Sequence, residues 1–329
     1  MIAVPEKLLE VSDLKTYFKI QQGEVKAVDG VSFTLYKGES LGLVGESGCG
    51  KTTTALSVIK LLPDNGYIAG GKVVFLGRDI TNLDDEHLYQ FRWKEASMIF
   101  QGAMNALNPV KRISDQITEA IFLHEKKTTR AQALDRVKEV FELVELNPNL
   151  VHCYPHEFSG GMRQRAIIAM ALVLNPSLVI GDEPTTALDV MVQAQIIDLI
   201  NSLRNKLGMS LLMITHDLSI ITEVCDRIAV MYAGKIVEMG STEEIVTNFK
   251  HPYTEKLITA FPNIYKERTM VDSIPGDPPD LFNPPPGCRF APRCHCRDGE
   301  HCGKEEPPLV DINGNGHFAA CHLRRAGNG

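Results

Sequence analysis

Residues 45–53 read Gly-Glu-Ser-Gly-Cys-Gly-Lys-Thr-Thr. Gly45, Gly50, Lys51 and Thr52 stand at the spacing G-x-x-x-x-G-K-[ST], whose chemistry is phosphate binding. Glycines at 45, 48 and 50 permit a tight turn with its backbone N–H groups directed inward. Those donors and the positive end of a following helix form an anion cradle. Lys51 can reach β- and γ-phosphates, and the Thr52 hydroxyl can ligate Mg²⁺. Ser47, Cys49 and Thr53 complete the loop and its exit. Cys49 reads as a small filler, with a redox role as the alternative.

The loop needs a strand before it and a helix after it. Leu41 to Val44 read as a short buried strand, and Thr53 to Leu62 as a helix stopped by Pro63. Residues 8–37 alternate in two runs around a turn at 21–24, which predicts an antiparallel β layer. Within it Phe18, or else Tyr17, is placed to stack on a base; a core or surface aromatic is an equal reading of the bare residues. Strands are expected at 72–76 and 97–100, with Gln101 directly after the second. Residues 113–146 carry Leu134, Val137, Val140, Phe141 and Val144 at helical spacing. A mostly helical insertion therefore interrupts an α/β core.

Further candidates follow. Phe-Ser-Gly-Gly-Met-Arg-Gln opens an apolar helix reaching Leu174, with Ser159 as N-cap. Its glycines leave N–H groups bare for an anion, although a glycine turn before a helix is ordinary by itself. Ser177 to Gly181 read as a buried strand ending in Asp182 and Glu183. A carboxylate there suits Mg²⁺, and its neighbour can polarise a water. A long helix, a strand at Leu211 to Ile214 and then Thr215-His216-Asp217 come next. A lone histidine after a strand is most often structural. Strands at 228–231 and 236–239 read as a closing hairpin.

The chain has 329 residues, a net charge of −7 and 44% hydrophobic residues. That is enough for a sizeable core, and the acidic balance argues against a broad nucleic-acid footprint. The first residues lack the basic-then-apolar pattern of a secretory leader. The longest apolar run, Ile167 to Leu174, is far shorter than a membrane span. Of eight cysteines, five (Cys288, Cys294, Cys296, Cys302 and Cys321) lie beyond residue 287. In a reducing compartment such clustering suggests metal rather than disulfides.

Taken together, the motifs resemble the ATP-binding cassette (ABC) family of transport ATPases in identity, order and spacing over residues 8–245. Residues 45–52 match that family's phosphate loop, Gln101 its glutamine loop, and Ser159 to Gln164 its signature. Leu178 to Glu183 match its second nucleotide motif, Ala187-Leu188-Asp189 its dimer loop, and His216 its switch histidine. The signature is Phe-Ser-Gly-Gly-Met-Arg-Gln rather than Leu-Ser-Gly-Gly-Gln, a variant that resembles the oligopeptide and dipeptide importer branch. After Gln101 the chain reads Gly-Ala-Met-Asn-Ala-Leu-Asn-Pro, where that branch usually has Asp-Pro. The helix expected at 251–262 and the cysteine tail also resemble this branch, in its D-type subunits.

The resemblance implies a P-loop α/β ATPase with an N-terminal antiparallel β layer and an inserted helical subdomain, about 102–175, within residues 1–245. Residues 246–329 would form a Cys-rich metal-cluster extension. It implies ATP and Mg²⁺ as ligands, with Phe18, Gly45, Ser47, Gly48, Cys49, Gly50, Lys51, Thr52 and Thr53 around the nucleotide. Thr52, Gln101 and Asp182 would surround Mg²⁺, Glu183 would activate water, and His216 would meet the γ-phosphate. Ser159, Gly160, Gly161, Met162 and Gln164 would act on the ATP of a second ABC ATPase, with Asp189 between the two. An F-type partner ATPase, two transmembrane permease subunits and an extracytoplasmic binding protein are implied. So is a peripheral place on the cytoplasmic face of the membrane.

Cys288, Cys294, Cys302 and Cys321 are separated by five, seven and eighteen residues. That spacing lacks the close pairs of zinc ribbons and suits a [4Fe–4S] cluster at least as well. The resemblance points to [4Fe–4S] too, with Zn²⁺ as the alternative and Cys296 as a spare. A soluble ABC ATPase acting on nucleic acid or ribosomes is the competing function.

Overall fold

The computed structural model describes residues 5–102, 106–186, 188–260, 274–312 and 314–323. Ala103, Met104, Asn105, Ala187, Phe261 and Pro262, which belong to segments read above, lie outside them. In chain order the first elements are β1 (Lys7–Ile20), β2 (Gly23–Tyr36), β3 (Ser40–Val44), α1 (Lys51–Val58), β4 (Gly66–Phe75), β5 (Arg78–Asp79), α2 (Asp85–Phe91) and β6 (Ala96–Ile99). Next come α3 (Ile113–His124), α4 (Arg130–Leu143), α5 (Gly160–Leu172), β7 (Leu178–Asp182), α6 (Val190–Leu207), β8 (Ser210–Ile214) and α7 (Leu218–Val224). The chain closes with β9 (Arg227–Tyr232), β10 (Lys235–Ser241), α8 (Thr242–Thr247), α9 (Pro252–Thr259), β11 (Val310–Asp311) and β12 (Phe318–Ala319).

Packing divides the chain into two compact units. One holds residues 82–213 with short pieces from 1–6 and 36–39; the other holds 7–35, 40–81 and 214–329.

The second unit contains a four-stranded sheet, β2-β1-β4-β5, and the run β11-β12-β10-β9-β3. Strand β1 pairs antiparallel with β4, from Leu9↔Phe75 to Phe18↔Gly66. The alternation of β1 and β2 buries Leu9, Val11, Leu14, Val31, Phe33 and Leu35. Strand β3 is buried at all five positions and runs parallel to β9, from Leu41↔Arg227 to Val44↔Val230. Its continuous apolar run is what a strand covered on both faces requires. Helix α1 stops at Val58, short of the end expected from Pro63. Lys60 takes a left-handed φ of 50°, and the Leu61 N–H reaches back to Leu56 O at 2.8 Å. This six-to-one closure ends the helix before the proline is reached.

The carboxy-terminal segment packs into the same unit. Strand β12 pairs with β10 through Glu238↔Ala319 and Met239↔Phe318. Glu238 and His317 are both fully buried and lie 2.8 Å apart. The other Glu238 oxygen accepts the His251 N–H at 2.9 Å. Arg289 binds the Asp29 carboxylate and the Ala233 carbonyl. These polar ties hold a segment that has little apolar core of its own.

In the first unit β8, β7 and β6 are neighbours, and β6 runs parallel to β7 from Ala96↔Leu178 to Ile99↔Gly181. Helices α3, α4 and α5 pack on one another. The stretch expected to be helical over 113–146 is two helices. A capping box at Thr129 and Gln132 starts the second one, in which each side-chain oxygen accepts the other residue's backbone N–H, satisfying two donors left bare at a new helix start. Val137, Phe141 and Val144 are fully buried, as the apolar spacing requires. Phe141→Ala should destabilise this unit by about 3–5 kcal/mol, read as a lowered urea midpoint.

Candidate nucleotide site

The second unit supplies the loop between β3 and α1. Gly45, Gly48 and Gly50 have φ of 152°, 77° and 103°. At Gly45 a Cβ would lie 2.1 Å from Met231 O, and at Gly50 2.3 Å from Ala27 O, so neither position admits a side chain. Lys51 is 6% exposed. Its ammonium donates to Gly45 O at 2.7 Å and Glu46 O at 2.9 Å, which holds the charge inside the curve of the loop. Cys49 is buried, with Sγ 3.7 Å from Lys51 Nζ. Burial pushes its thiol pKa up despite the lysine's opposing pull. An inaccessible, protonated thiol suits a filler rather than a redox centre. Thr52 and His216 are exposed and Thr53 is half-buried.

Phe18 and Tyr17 separate in three dimensions. The Tyr17 hydroxyl donates to Asp29 Oδ1 at 2.9 Å, and burial first, then Asp29, push its pKa up to about 12. Phe18 is half-buried, its ring lying over Gly66, where a Cβ would stand 2.8 Å away.

The first unit carries the carboxylates. Asp182 ends β7 and is 2% exposed. Glu183 follows with a φ of 48°, a left-handed backbone that is costly for a non-glycine residue and is often kept at functional sites. Its Oε2 accepts from Gln101 Nε2 at 2.8 Å and from Thr186 Oγ1 at 3.0 Å. Two residues far apart in sequence are thereby joined. Gly102 takes a φ of 65°, a conformation glycine reaches at little cost.

Ser159 caps α5 by accepting the Met162 N–H at 3.3 Å, and Asp189 caps α6 by accepting the Val192 N–H at 3.0 Å. Both helix starts open on one groove of ≈ 340 Å³, lined by Ser159, Gly160, Gly161, Met162, Leu188 and Asp189 among others. Gly161 lets α6 approach, since a Cβ would lie 2.9 Å from Val192. Gln164 stands apart from this open surface. It is 3% exposed, and its Nε2 has no partner among the described residues.

The tail cysteines gather in the second unit. The Cys288 N–H donates to Cys302 O at 2.9 Å. Burial pushes Cys288 up to about 11, backbone N–H groups pull it back, and Cys321 and Cys302 push it further. Cys294 is likewise pushed up to about 11 by burial, with Cys296, Cys288 and Cys321 adding to it. Cys288 thus lies within electrostatic reach of Cys294, Cys302 and Cys321. Among the described residues no three His, Cys, Asp or Glu side chains converge closely enough to hold one metal ion.

A glycine loop between a buried parallel strand and a helix, with acidic residues at another strand's end, defines a P-loop α/β nucleoside triphosphatase. Residues 28–186 match the ABC transporter family model, and residues 237–302 match the oligopeptide/dipeptide transporter C-terminal region. The chain is 49% identical over 314 residues to the oligopeptide transport ATP-binding protein OppD of Bacillus subtilis (strain 168), covering 93% of this chain and 86% of that protein. It is 45% identical over 325 residues to the dipeptide transport ATP-binding protein DppD of the same organism, covering 97% and 95%. The dimeric, post-hydrolysis ATP-binding cassette MJ0796 with ADP and Pi shares the fold. Its TM-score is 0.64 at 24% identity, over 71% of this chain and 99% of that one. The chain belongs to the ABC transporter family, as an ATP-binding and ATP-hydrolysing subunit.

Sequence reasoning passed over Glu46, Arg293 and Tyr253. Glu46 falls at an unspecified position of the loop motif, and the partners of its N–H and its carboxylate, Tyr253 and Arg293, lie more than 200 residues away. No local spacing points to them.

Proposed function

We propose that this subunit powers the uptake of di- or oligopeptides through membrane partners. Similarity to peptide-transport ATP-binding proteins along nearly the whole chain, including the specialised carboxy-terminal region, carries this reading. Residues 1–245 would be the ATPase domain and 246–329 the importer-type extension. The phosphate loop and Lys51 hold the phosphates, Phe18 stacks on the base, and His216 meets the γ-phosphate. Thr52, Gln101 and Asp182 would hold Mg²⁺, which neutralises phosphate charge. Glu183 takes the proton of the attacking water.

The open groove at Ser159–Met162 and Asp189 supports a head-to-tail pairing in which it covers the ATP of a second cassette ATPase. That second ATPase is read as a distinct F-type subunit. Two permease subunits and an extracytoplasmic binding protein complete the assembly, with this chain peripheral on the cytoplasmic face of the membrane. Among the described residues no helix is long and apolar enough to cross a membrane. Isolation from gently solubilised membranes in ATP–Mg²⁺ tests the reading. Two membrane subunits and a second cassette ATPase should accompany the chain. Recovery with ribosomes or nucleic acid instead would overturn it.

The extension is read as holding a [4Fe–4S] cluster on Cys288, Cys294, Cys302 and Cys321, with Zn²⁺ as the alternative. Four cysteine thiols are the right donor type for such a cluster. Such a group would staple a Pro/Gly-rich segment. Iron and acid-labile sulfide should be found in anaerobically prepared protein; zinc without sulfide would refute the cluster.

A further inference from the structure

Arg293 lies one residue before Cys294, in a short turn of the carboxy-terminal segment. Its guanidinium has five N–H donors, and each has an acceptor. Nη1 reaches Glu46 Oε2 at 2.7 Å and Tyr232 Oη at 3.2 Å. Nη2 reaches Glu46 Oε1 at 3.0 Å and Ile274 O at 3.3 Å, while Nε reaches Pro275 O at 2.9 Å. The side chain is 6% exposed. Burial alone would lower its pKa, but Glu46 and Tyr232 more than offset that and raise it.

Glu46 is the second residue of the phosphate loop, and every polar group it has is occupied. Its carbonyl accepts from Lys51. Its N–H donates to the Tyr253 hydroxyl of α9 at 2.9 Å, from a ring that is fully buried and whose phenol burial keeps protonated. Its carboxylate is held at both oxygens by Arg293. Tyr232, Tyr253 and Phe290 pack around the contact in tilted and edge-to-face pairs, with ring centroids 4.6–5.3 Å apart. Two of the three groups on Glu46 are therefore fixed by the carboxy-terminal segment. A free carboxylate in an anion cradle would repel a triphosphate. The two-oxygen arginine contact neutralises it and fixes its direction, which a lysine cannot reproduce.

We propose that Arg293 is a positioning residue for the phosphate loop, acting through Glu46, so that the carboxy-terminal segment sets the affinity for ATP. This rests on residues 45–52 being the ATP-binding loop. The test is equilibrium titration of the full chain with a fluorescent ATP analogue, alongside steady-state ATPase kinetics and a melting curve. Arg293→Lys and Arg293→Ala should raise Kd and KM for ATP about ten-fold, as loss of a charged hydrogen-bond pair does, with kcat held. Glu46→Gln should weaken ATP less, and Glu46→Gln with Arg293→Ala should be no worse than Arg293→Ala alone, because both act through one contact. A purely structural arginine would lower the melting temperature and the active fraction without moving Kd. If Arg293→Ala does not fold, Arg293→Lys, which keeps the charge and stem, decides. An unchanged Kd in folded Arg293→Lys overturns the proposal. Lys51→Gln in the same titration separates the two assumptions. If it keeps full ATP affinity, the loop assignment itself fails; if it loses ATP while the Arg293 variants do not, only the arginine's role fails.

Discussion

Lys51→Gln should weaken ATP binding roughly 100-fold or more, since it removes the cation and its charged hydrogen bonds to two phosphates. Lys51 is nearly buried and held by the Gly45 and Glu46 carbonyls. Glutamine keeps a hydrogen-bonding stem in the loop, so the loss reports the charge rather than a collapsed turn. Lys51→Ala should lose as much, with an added drop in melting temperature from the two carbonyls left without the ammonium. A fluorescent-nucleotide titration gives the Kd directly. Near-native affinity in both variants would refute the assignment of this loop to ATP.

The second large effect is expected at Glu183. Glu183→Gln should bind ATP as the parent does, while turnover falls about 10²–10⁴-fold, the range attributed to general-base catalysis. The substitution is nearly isosteric. The amide oxygen can still accept from Gln101 and Thr186, which now hold Oε2. The left-handed backbone at 183 costs the glutamine what it costs the glutamate, so folding should be unaffected. What is lost is the ability to take a proton from water. Phosphate release under saturating ATP–Mg²⁺, beside the Kd, checks both halves. Full turnover by Glu183→Gln would remove it from the chemistry. A variant that neither binds nor hydrolyses would instead mean that Glu183 shapes the site.

The acid range offers a smaller test of how the extension is anchored. Burial opposes ionisation of Asp29, but Tyr17, Lys235 and Arg289 together hold its pKa below the usual carboxylate range. A depressed folded-state pKa stabilises above the unfolded value and loses that contribution as pH falls through the folded one. Asp29→Asn should therefore flatten the loss of stability on acidification below about pH 4.

Much of the nucleotide machinery was legible because it is local. The loop from Gly45 to Thr52 is one contiguous motif, and its glycines are dictated by close backbone approach at Met231 and Ala27. Ser159 was recognisable as a helix start because a cap bonds only two or three residues ahead. Boundaries were less so. The end of α1 depended on a left-handed Lys60, and the break between α3 and α4 on a capping box at Thr129. The short helices α2, α7 and α8 and the tail strands β11 and β12 carry too little periodicity to stand out in the sequence.

By itself, then, the sequence determined the phosphate loop, the acidic strand end and the signature helix start, since each rests on residues within a few positions of one another, and the order of these motifs along the chain gave the ABC family. Tertiary structure alone decided which residues serve those motifs from a distance. It joined Gln101 to Glu183, turned Gln164 inward, and put Ser159 and Asp189 on one groove. It also brought Arg293 and Tyr253 onto Glu46 across more than 200 residues. A contact of that kind depends on where the backbone returns in space, and no spacing along the chain encodes it.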